Sequence, residues 1–133
     1  MKKKLPWIVA GVALLSLAFI LLAPKRGQAS IHPDPRPGIT GAAVLPATAV
    51  PNTPGALEAY EAAHRYPQVL DGLYCHCECA KNFGHRSLLT CFESDHGANC
   101  DICMGEAMLA ARMAAEGNSL TPIRAAINAQ FGS

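Results

Sequence analysis

The residues best suited to chemistry in this chain are its six cysteines, all of which lie between Cys75 and Cys103. The first three alternate as C-x-C-x-C, and the last two form a C-x-x-C pair. Because alternate residues of an extended strand share a face, the first three sulfurs are expected to point the same way. Four thiolates suit tetrahedral zinc, and two or three thiolates with a histidine suit Cu(I). The two clusters therefore predict a copper or zinc site.

Histidines in the same stretch extend the set of candidate ligands. His85 and His96 each stand beside a glycine, in predicted loops between the two cysteine clusters. His76 lies inside the triplet, where a regular strand would turn its ring away from the sulfurs. Cys91 belongs to neither cluster and is an alternative disulfide partner for one triplet cysteine. The predicted metal ligands are Cys75, Cys77, Cys79, Cys100, Cys103, His85 and His96.

Two other interpretations of the cysteines stay open. An oxidising compartment would permit three disulfides, in any of about 15 pairings, and the chain would then be a disulfide-bonded interaction domain that docks on a membrane complex. Alternatively, a C-x-x-C pair at a predicted helix start has its first sulfur beside the positive end of the helix dipole, which favours a reactive thiolate. The enzymatic alternative is therefore a thiol-disulfide oxidoreductase acting through Cys100 and Cys103. Met104 follows Cys103 directly, so the C-x-x-C-H pattern of covalent haem attachment is not present.

The remaining classes of function find little support in the sequence. It contains no recognisable Ser-His-Asp set, phosphate-binding loop or paired carboxylate site, so no catalytic residue is assigned and binding is favoured over catalysis. The formal net charge is only +1, which gives no electrostatic case for nucleic-acid binding. Aromatic residues make up 6% of the chain, so metal or disulfides are expected to supplement a small apolar core.

The elements that must position these residues are predicted to be mostly α-helical. Residues 56–65 are rich in strong helix formers. A helix over residues 100–116 begins at the C-x-x-C pair and stops at the glycine and asparagine that follow. Thr121 is expected to cap a final helix with Pro122 at its first position and an apolar stripe of Ile123, Ile127 and Phe131. Residues 56–133 are therefore predicted to form a small Cys/His-rich domain with a C-terminal helical hairpin.

The N-terminal part of the chain predicts a membrane anchor followed by a spacer. Three lysines precede an uncharged apolar run of about 19 residues, which as a helix would span roughly 28 Å, close to the thickness of a hydrocarbon core. We interpret residues 1–27 as an uncleaved signal anchor forming one transmembrane helix, with a cleaved signal peptide as the alternative. Residues 28–55, rich in proline and alanine, predict a disordered linker. The domain is expected to lie on the extracytoplasmic side of the membrane.

From Tyr74 to Phe131 the chain resembles a family of bacterial extracytoplasmic proteins named for a PCYCGC motif. The matching pieces are the cysteine triplet, Gly84-His85-Arg86-Ser87, Cys91-Phe92, Asp95-His96-Gly97, the C-x-x-C pair and Glu116-Gly117-Asn118-Ser119. Where the motif has Pro, Tyr and Gly, this chain has Tyr74, His76 and Glu78. The resemblance implies an extracytoplasmic location and a cysteine site, but no particular activity. Many members look lipid-anchored, whereas this chain is expected to use its N-terminal apolar helix as a single-pass anchor in the bacterial cytoplasmic membrane. Its expected partners are a membrane protein complex or a metal-handling protein.

The C-terminal hairpin carries a second resemblance. A C-x-x-C pair at a helix start, a Glu-Gly-Asn-Ser turn and a second helix ending near Phe131 are similar to the periplasmic thiol oxidoreductases of cytochrome c maturation. This similarity implies thiol-disulfide exchange, and it adds to the oxidoreductase alternative.

Overall fold

The computed structural model describes residues 31–132, which are mostly α-helical, as predicted. The α-helices of this range are α1 Ala56–Arg65, α2 Pro67–Asp71, α3 Cys79–Phe83, α4 Asp101–Ala115 and α5 Leu120–Phe131. Short 3₁₀-helices lie at Gly41–Ala43, Ala47–Ala49, Leu88–Phe92 and Gly97–Asn99. No strand occurs between residues 31 and 132.

The core forms where α1 packs against α4. Both helices bury alanines, which let helix axes approach closely: Ala59 and Ala63 on α1, Ala107 and Ala110 on α4. Large aliphatic side chains fill much of the remaining space, among them the fully buried Leu70, Leu73 and Leu88, so the apolar core is larger than the scarcity of aromatic residues predicts. The buried ring of Tyr60 meets Phe92 edge to face, with 4.9 Å between ring centroids.

Tyr60 also connects α1 to the loop that carries His96. Its hydroxyl donates a hydrogen bond to the carbonyl of Ser94 at 2.5 Å and accepts one from the backbone N–H of Ala98 at 3.2 Å. Both ends of this short loop are thereby fixed to the helical core. This loop, which lies between the two cysteine clusters, therefore holds the candidate ligand His96 in a fixed position.

The predicted C-terminal hairpin is formed by α4 and α5, which contact each other. Gly117, with φ 84°, follows α4 and takes the left-handed conformation that suits glycine. The final helix begins earlier than predicted, at Leu120 with Ser119 as its N-cap, so Thr121 is inside the helix. The predicted stripe faces the core, with Ile123 and Ile127 fully buried. At the far end, a Cβ added to Gly105 would lie 3.1 Å from the Phe131 ring, so this glycine lets α5 approach α4 closely.

Residues 31–55 do not form the predicted disordered linker. Val44 is buried, and the backbone N–H of Leu45 donates to the carbonyl of Phe92 at 3.0 Å. Near its start, the segment is held by Arg124, which donates to the carbonyl of Pro33 at 2.6 Å. The prolines lack the N–H groups that β-sheet hydrogen bonds need. Side chains of the helical body instead donate hydrogen bonds to the carbonyl groups of this segment. Its packed conformation therefore depends on partners distant in sequence. Residues 28–30 lie outside the described range.

An ion pair between the exposed Arg36 and the fully buried Asp71 joins this segment to α2. Arg36 donates to Asp71 through its backbone N–H at 2.7 Å and through its guanidinium at 2.8 Å, and Ser87 donates to the same carboxylate at 2.9 Å. Burial alone raises the pKa of Asp71, but the hydrogen bonds from Arg36 and Ser87 outweigh it, so the pKa lies below its ordinary value. The pair therefore stabilises the fold at neutral pH, and this contribution is lost only as the pH falls below the ordinary carboxyl range.

Replacing Asp71 with alanine is expected to lower the free energy of unfolding by about 2–3 kcal/mol, because the change removes the buried partner of Arg36. Urea denaturation of the metal-free chain measures this loss. The control is Asp34→Asn, which alters a fully exposed carboxylate 3.9 Å from Arg124 and should leave the unfolding midpoint unchanged. Equal midpoints for the wild-type chain and the Asp71 variant would show that the segment is not held by this pair.

None of the helices in the described range is long and apolar enough to cross a membrane. The predicted transmembrane helix, residues 1–27, lies outside the described residues.

Candidate metal centre

The cysteine triplet lies on a turn between α2 and α3, and not on the predicted extended strand. Glu78 has a left-handed backbone with φ 60°, and Cys79 begins α3 directly after this bend. The Sγ atoms of Cys75 and Cys77 are 3.4 Å apart, and all three triplet sulfurs lie within 4.8 Å of one another. The sulfurs therefore converge as predicted, but a tight turn brings them together instead of the pleat of a strand.

Glu78 is the one non-glycine residue with positive φ among the described residues. A Cβ in this conformation costs roughly 1 kcal/mol or more, and glycine avoids that cost. We expect Glu78→Gly to be about 1 kcal/mol more stable than the matched variant Glu78→Ala, because both lose the carboxylate and only alanine keeps the Cβ. Urea midpoints of the two metal-free variants test this. An alanine variant at least as stable as the glycine variant would contradict it.

The C-x-x-C pair opens α4 and reaches the triplet. Cys100 is the N-cap residue, and its Sγ accepts a hydrogen bond from the backbone N–H of Cys103 at 3.4 Å. The Sγ of Cys103 lies 3.4 Å from that of Cys75 and 3.6 Å from that of Cys77. A disulfide bond would measure about 2.05 Å, and all six cysteines are free thiols. The interpretation as three disulfides therefore differs from what the structure shows.

Cys91, which is not among the ligands predicted from the sequence, lies among the candidate donors. It sits on the 3₁₀-helix Leu88–Phe92, and its Sγ is 3.4 Å from both the Sγ of Cys79 and Nδ1 of His85. Sequence reasoning missed it because a single cysteine has no spacing pattern. Its position between the two candidate histidines was the available signal.

His85 and His96 approach the sulfurs from the adjoining loops. The Nε2 atom of His96 is 3.8 Å from the Sγ of Cys77, and the two imidazole rings meet edge to face at 4.8 Å. The ring of Phe83 packs against His96 with 4.9 Å between centroids. Burial, and then the neighbouring His96, hold the pKa of His85 below its ordinary value. The neutral imidazole, which is the form that binds metals, is therefore favoured at this position.

Donor atoms converge in four overlapping groups, in each of which they lie within 4.8 Å of one another. The groups are Cys77, His96, Cys100 and Cys103; Cys79, His85, Cys91 and His96; Cys75, Cys77 and Cys79; and Cys75, Cys91 and Cys103. All seven ligands named from the sequence are therefore brought together, with Cys91 added. A tetrahedral zinc ion with Zn–S bonds of about 2.3 Å separates its sulfurs by roughly 3.8 Å. The observed Sγ–Sγ distances of 3.4 to 3.6 Å would need only a small expansion to receive it.

His76 belongs to none of the four donor groups, and a buried carboxylate holds it instead. Its Nδ1 lies 2.6 Å from Oε1 of Glu106, which also accepts a hydrogen bond from the backbone N–H of His76 at 3.0 Å. Its Nε2 lies 3.1 Å from Oδ1 of Asn128 on α5. Glu106 is fully buried, and this burial raises its pKa. The pair fixes the triplet turn to α4, a role that sequence reasoning missed because a glutamate on a helix is usually exposed.

Metal affinity at this centre is expected to rise with pH. A hydrogen bond with Cys103, together with burial, holds the pKa of Cys75 above its ordinary value. Some neighbouring thiols lower the pKa of Cys91 and of Cys103, and others raise it. Burial adds to the increase, so both pKa values lie above the ordinary value. These thiols are therefore protonated at neutral pH, and each must release its proton to bind a metal.

Each proton released on binding contributes about a tenfold change in affinity per pH unit. We therefore expect zinc affinity to increase at least about tenfold between pH 6.5 and pH 7.5. Competition with a chelator whose own pH dependence is known measures this change. An affinity independent of pH would mean that the buried thiols are not the ligands.

Comparison with known proteins identifies a family but no activity. The family model described as "Protein of unknown function with PCYCGC motif" matches residues 25–133, so the chain belongs to this family. The match reaches well N-terminal to the cysteine triplet, and thus includes the segment 31–55 that packs on the helices. No curated protein and no solved structure matches the chain.

Proposed function

We propose that this member of the PCYCGC-motif family is an extracytoplasmic metal-binding protein that takes up Cu(I) or Zn²⁺ for carriage, delivery or sensing. The observation that carries the proposal is the convergence of six free thiols and two imidazoles, with the donor atoms of each group within 4.8 Å of one another. Thiolate and imidazole together are the ligands that copper and zinc prefer in proteins.

The uneven burial of the donors supports exchange of the metal with a partner. Cys75, Cys79, Cys91 and Cys103 are buried, which favours retention. The other four donors, Cys77, Cys100, His85 and His96, are half-buried, so solvent reaches part of each. A purely structural zinc site is usually closed, whereas a carrier must present some of its ligands to the protein that receives the ion.

Two exposed apolar side chains beside these half-buried donors favour a protein partner. Phe83 is 65% exposed beside the two histidines, and Ile102, between the cysteines of the C-x-x-C pair, is 38% exposed. Exposed apolar residues around a site are typical of protein interfaces. We propose that the partner is a metal-handling protein or a membrane complex. Residues 1–27 would act as the membrane anchor, which places the domain at the outer face of the membrane.

Elemental analysis and thiol titration of the full chain in detergent, purified without added reductant, test the proposal. We expect near-stoichiometric copper or zinc, with thiols that become titratable only after a chelator removes the metal. The metal that is found decides between Cu(I) and Zn²⁺. A chain that takes up neither metal when both are supplied, with its thiols reduced, would refute metal binding.

The geometry at the start of α4 supports one alternative function, thiol-disulfide exchange. Cys100 is half-buried and caps the helix with its Sγ, the position of an attacking thiolate, and Cys103 would resolve the mixed disulfide. Two electrons would pass from this thiol pair to a disulfide of the substrate, leaving a Cys100–Cys103 disulfide. Under this alternative, replacing both cysteines with serine should abolish exchange with a model disulfide. Unchanged exchange in that variant would exclude it.

A further inference from the structure

Twice as many donor side chains meet in the metal centre as one tetrahedral ion uses. Six thiols and two imidazoles line it, and a zinc ion in a closed site takes four ligands. A single ion would therefore leave four donors unused, several of them buried. Such an excess is unusual for a site that holds one ion.

The donors divide into two sets of the same composition, with none left over. The first set consists of Cys77, His96, Cys100 and Cys103, whose donor atoms all lie within 4.8 Å of one another. Each set has three sulfurs and one imidazole nitrogen, which is the Cys₃His combination found in tetrahedral zinc sites.

The second set is formed by Cys79, His85 and Cys91, which are also mutually within 4.8 Å, and it is completed by Cys75. The Sγ of Cys75 lies within that distance of the sulfurs of both Cys79 and Cys91.

The two sets are in direct contact. The Sγ of Cys75, which completes the second set, is 3.4 Å from the sulfurs of Cys77 and Cys103 in the first. His96, a member of the first set, also lies within 4.8 Å of Cys79, His85 and Cys91. Two ions bound in these sets would therefore be neighbours.

We infer that the centre binds two adjacent metal ions per chain, one in each Cys₃His set, and that it is therefore a binuclear thiolate centre and not a single site. The inference rests on the proposed metal-binding function and makes it more specific, because it fixes the capacity of the protein and the set of ligands around each ion.

Native mass spectrometry of the full chain, released from detergent after titration with Zn²⁺ and separately with Cu(I) under anaerobic conditions, counts the bound ions. Two zinc ions, or two or more copper ions, are expected. One ion at saturation with each metal would overturn the binuclear centre and leave the proposed function standing. No bound ion with either metal would overturn both.

Two matched double variants test the division into sets. Cys79→Ser with Cys91→Ser removes two thiols from the second set, and Cys100→Ser with Cys103→Ser removes two from the first. Each variant is expected to bind one zinc ion, provided that its circular dichroism spectrum retains the wild-type helix content. Loss of both ions from a folded variant, or retention of two, would overturn the assignment of ligands. If a variant fails to fold, the ion count of the wild-type chain still decides the inference.

Discussion

Metal loading is expected to raise the unfolding temperature of this protein by roughly 15 °C or more. A ligand that binds only the folded state stabilises it by about 4 kcal/mol when its free concentration is a thousand times its Kd. In a domain of about 100 residues, each kcal/mol shifts the transition by roughly 4–8 °C. The shift should be large here because the candidate ligands come from the turn before α3, from α3 and α4, and from the segments between those helices, which assemble only in the folded chain.

Thermal unfolding followed by circular dichroism, with the chain loaded and then stripped by a chelator, measures this shift. The chain in which both Cys100 and Cys103 are replaced by serine is the control, and its shift should be clearly smaller because it lacks two ligands. A loaded wild-type chain that melts at the temperature of the stripped chain would contradict a metal-stabilised fold.

Removal of the Cys103 thiol is expected to weaken metal binding at least about 100-fold. Cys103 is fully buried and belongs to two of the four donor groups, and its Sγ lies within 3.6 Å of two other sulfurs. Outer-shell partners of a metal ligand already contribute about 10–100-fold to affinity, so loss of a ligand should cost at least as much. Competition with a chelator, on wild-type and Cys103→Ser chains at one pH, measures the change.

Histidine variants provide a matched control for this experiment. His96 belongs to two donor groups, whereas His64 hydrogen-bonds to the carbonyl of Leu45 and lies outside all four groups. His96→Gln is expected to weaken binding by about 10–100-fold, and His64→Gln should leave it unchanged. Equal effects of the two changes would point to a general loss of structure and would contradict a ligand role for His96.

The features that sequence could predict are those with a local cause. Helix α1 could be predicted from its strong helix formers, and α5 from its apolar stripe. Both signals lie within a few turns of the chain. The two cysteine clusters were recognisable for the same reason, since their spacing is short.

The features that sequence did not reveal depend on partners distant in the chain. Segment 31–55 is fixed by groups such as Asp71 and Arg124, which composition alone does not connect to it. The buried Glu106 finds its partner in His76, which lies thirty residues earlier in the chain. Cys91 joins the centre through Cys79 and His85, and no spacing rule predicts that contact.

The left-handed backbone at Glu78 also bears on how relatives of this protein can be recognised. In the motif that names the family, the three cysteines supply sulfur atoms of the candidate centre, but the glycine at the place of Glu78 corresponds to a backbone torsion angle, φ 60° in this chain. More residue types can take this torsion angle than can replace a cysteine sulfur. Asparagine and aspartate also tolerate the left-handed region, and glutamate occupies it here. The residue at this position of the motif can therefore vary among relatives that keep the cysteine centre. A sequence pattern that requires glycine at this position would miss chains that have the same three cysteines on the same turn.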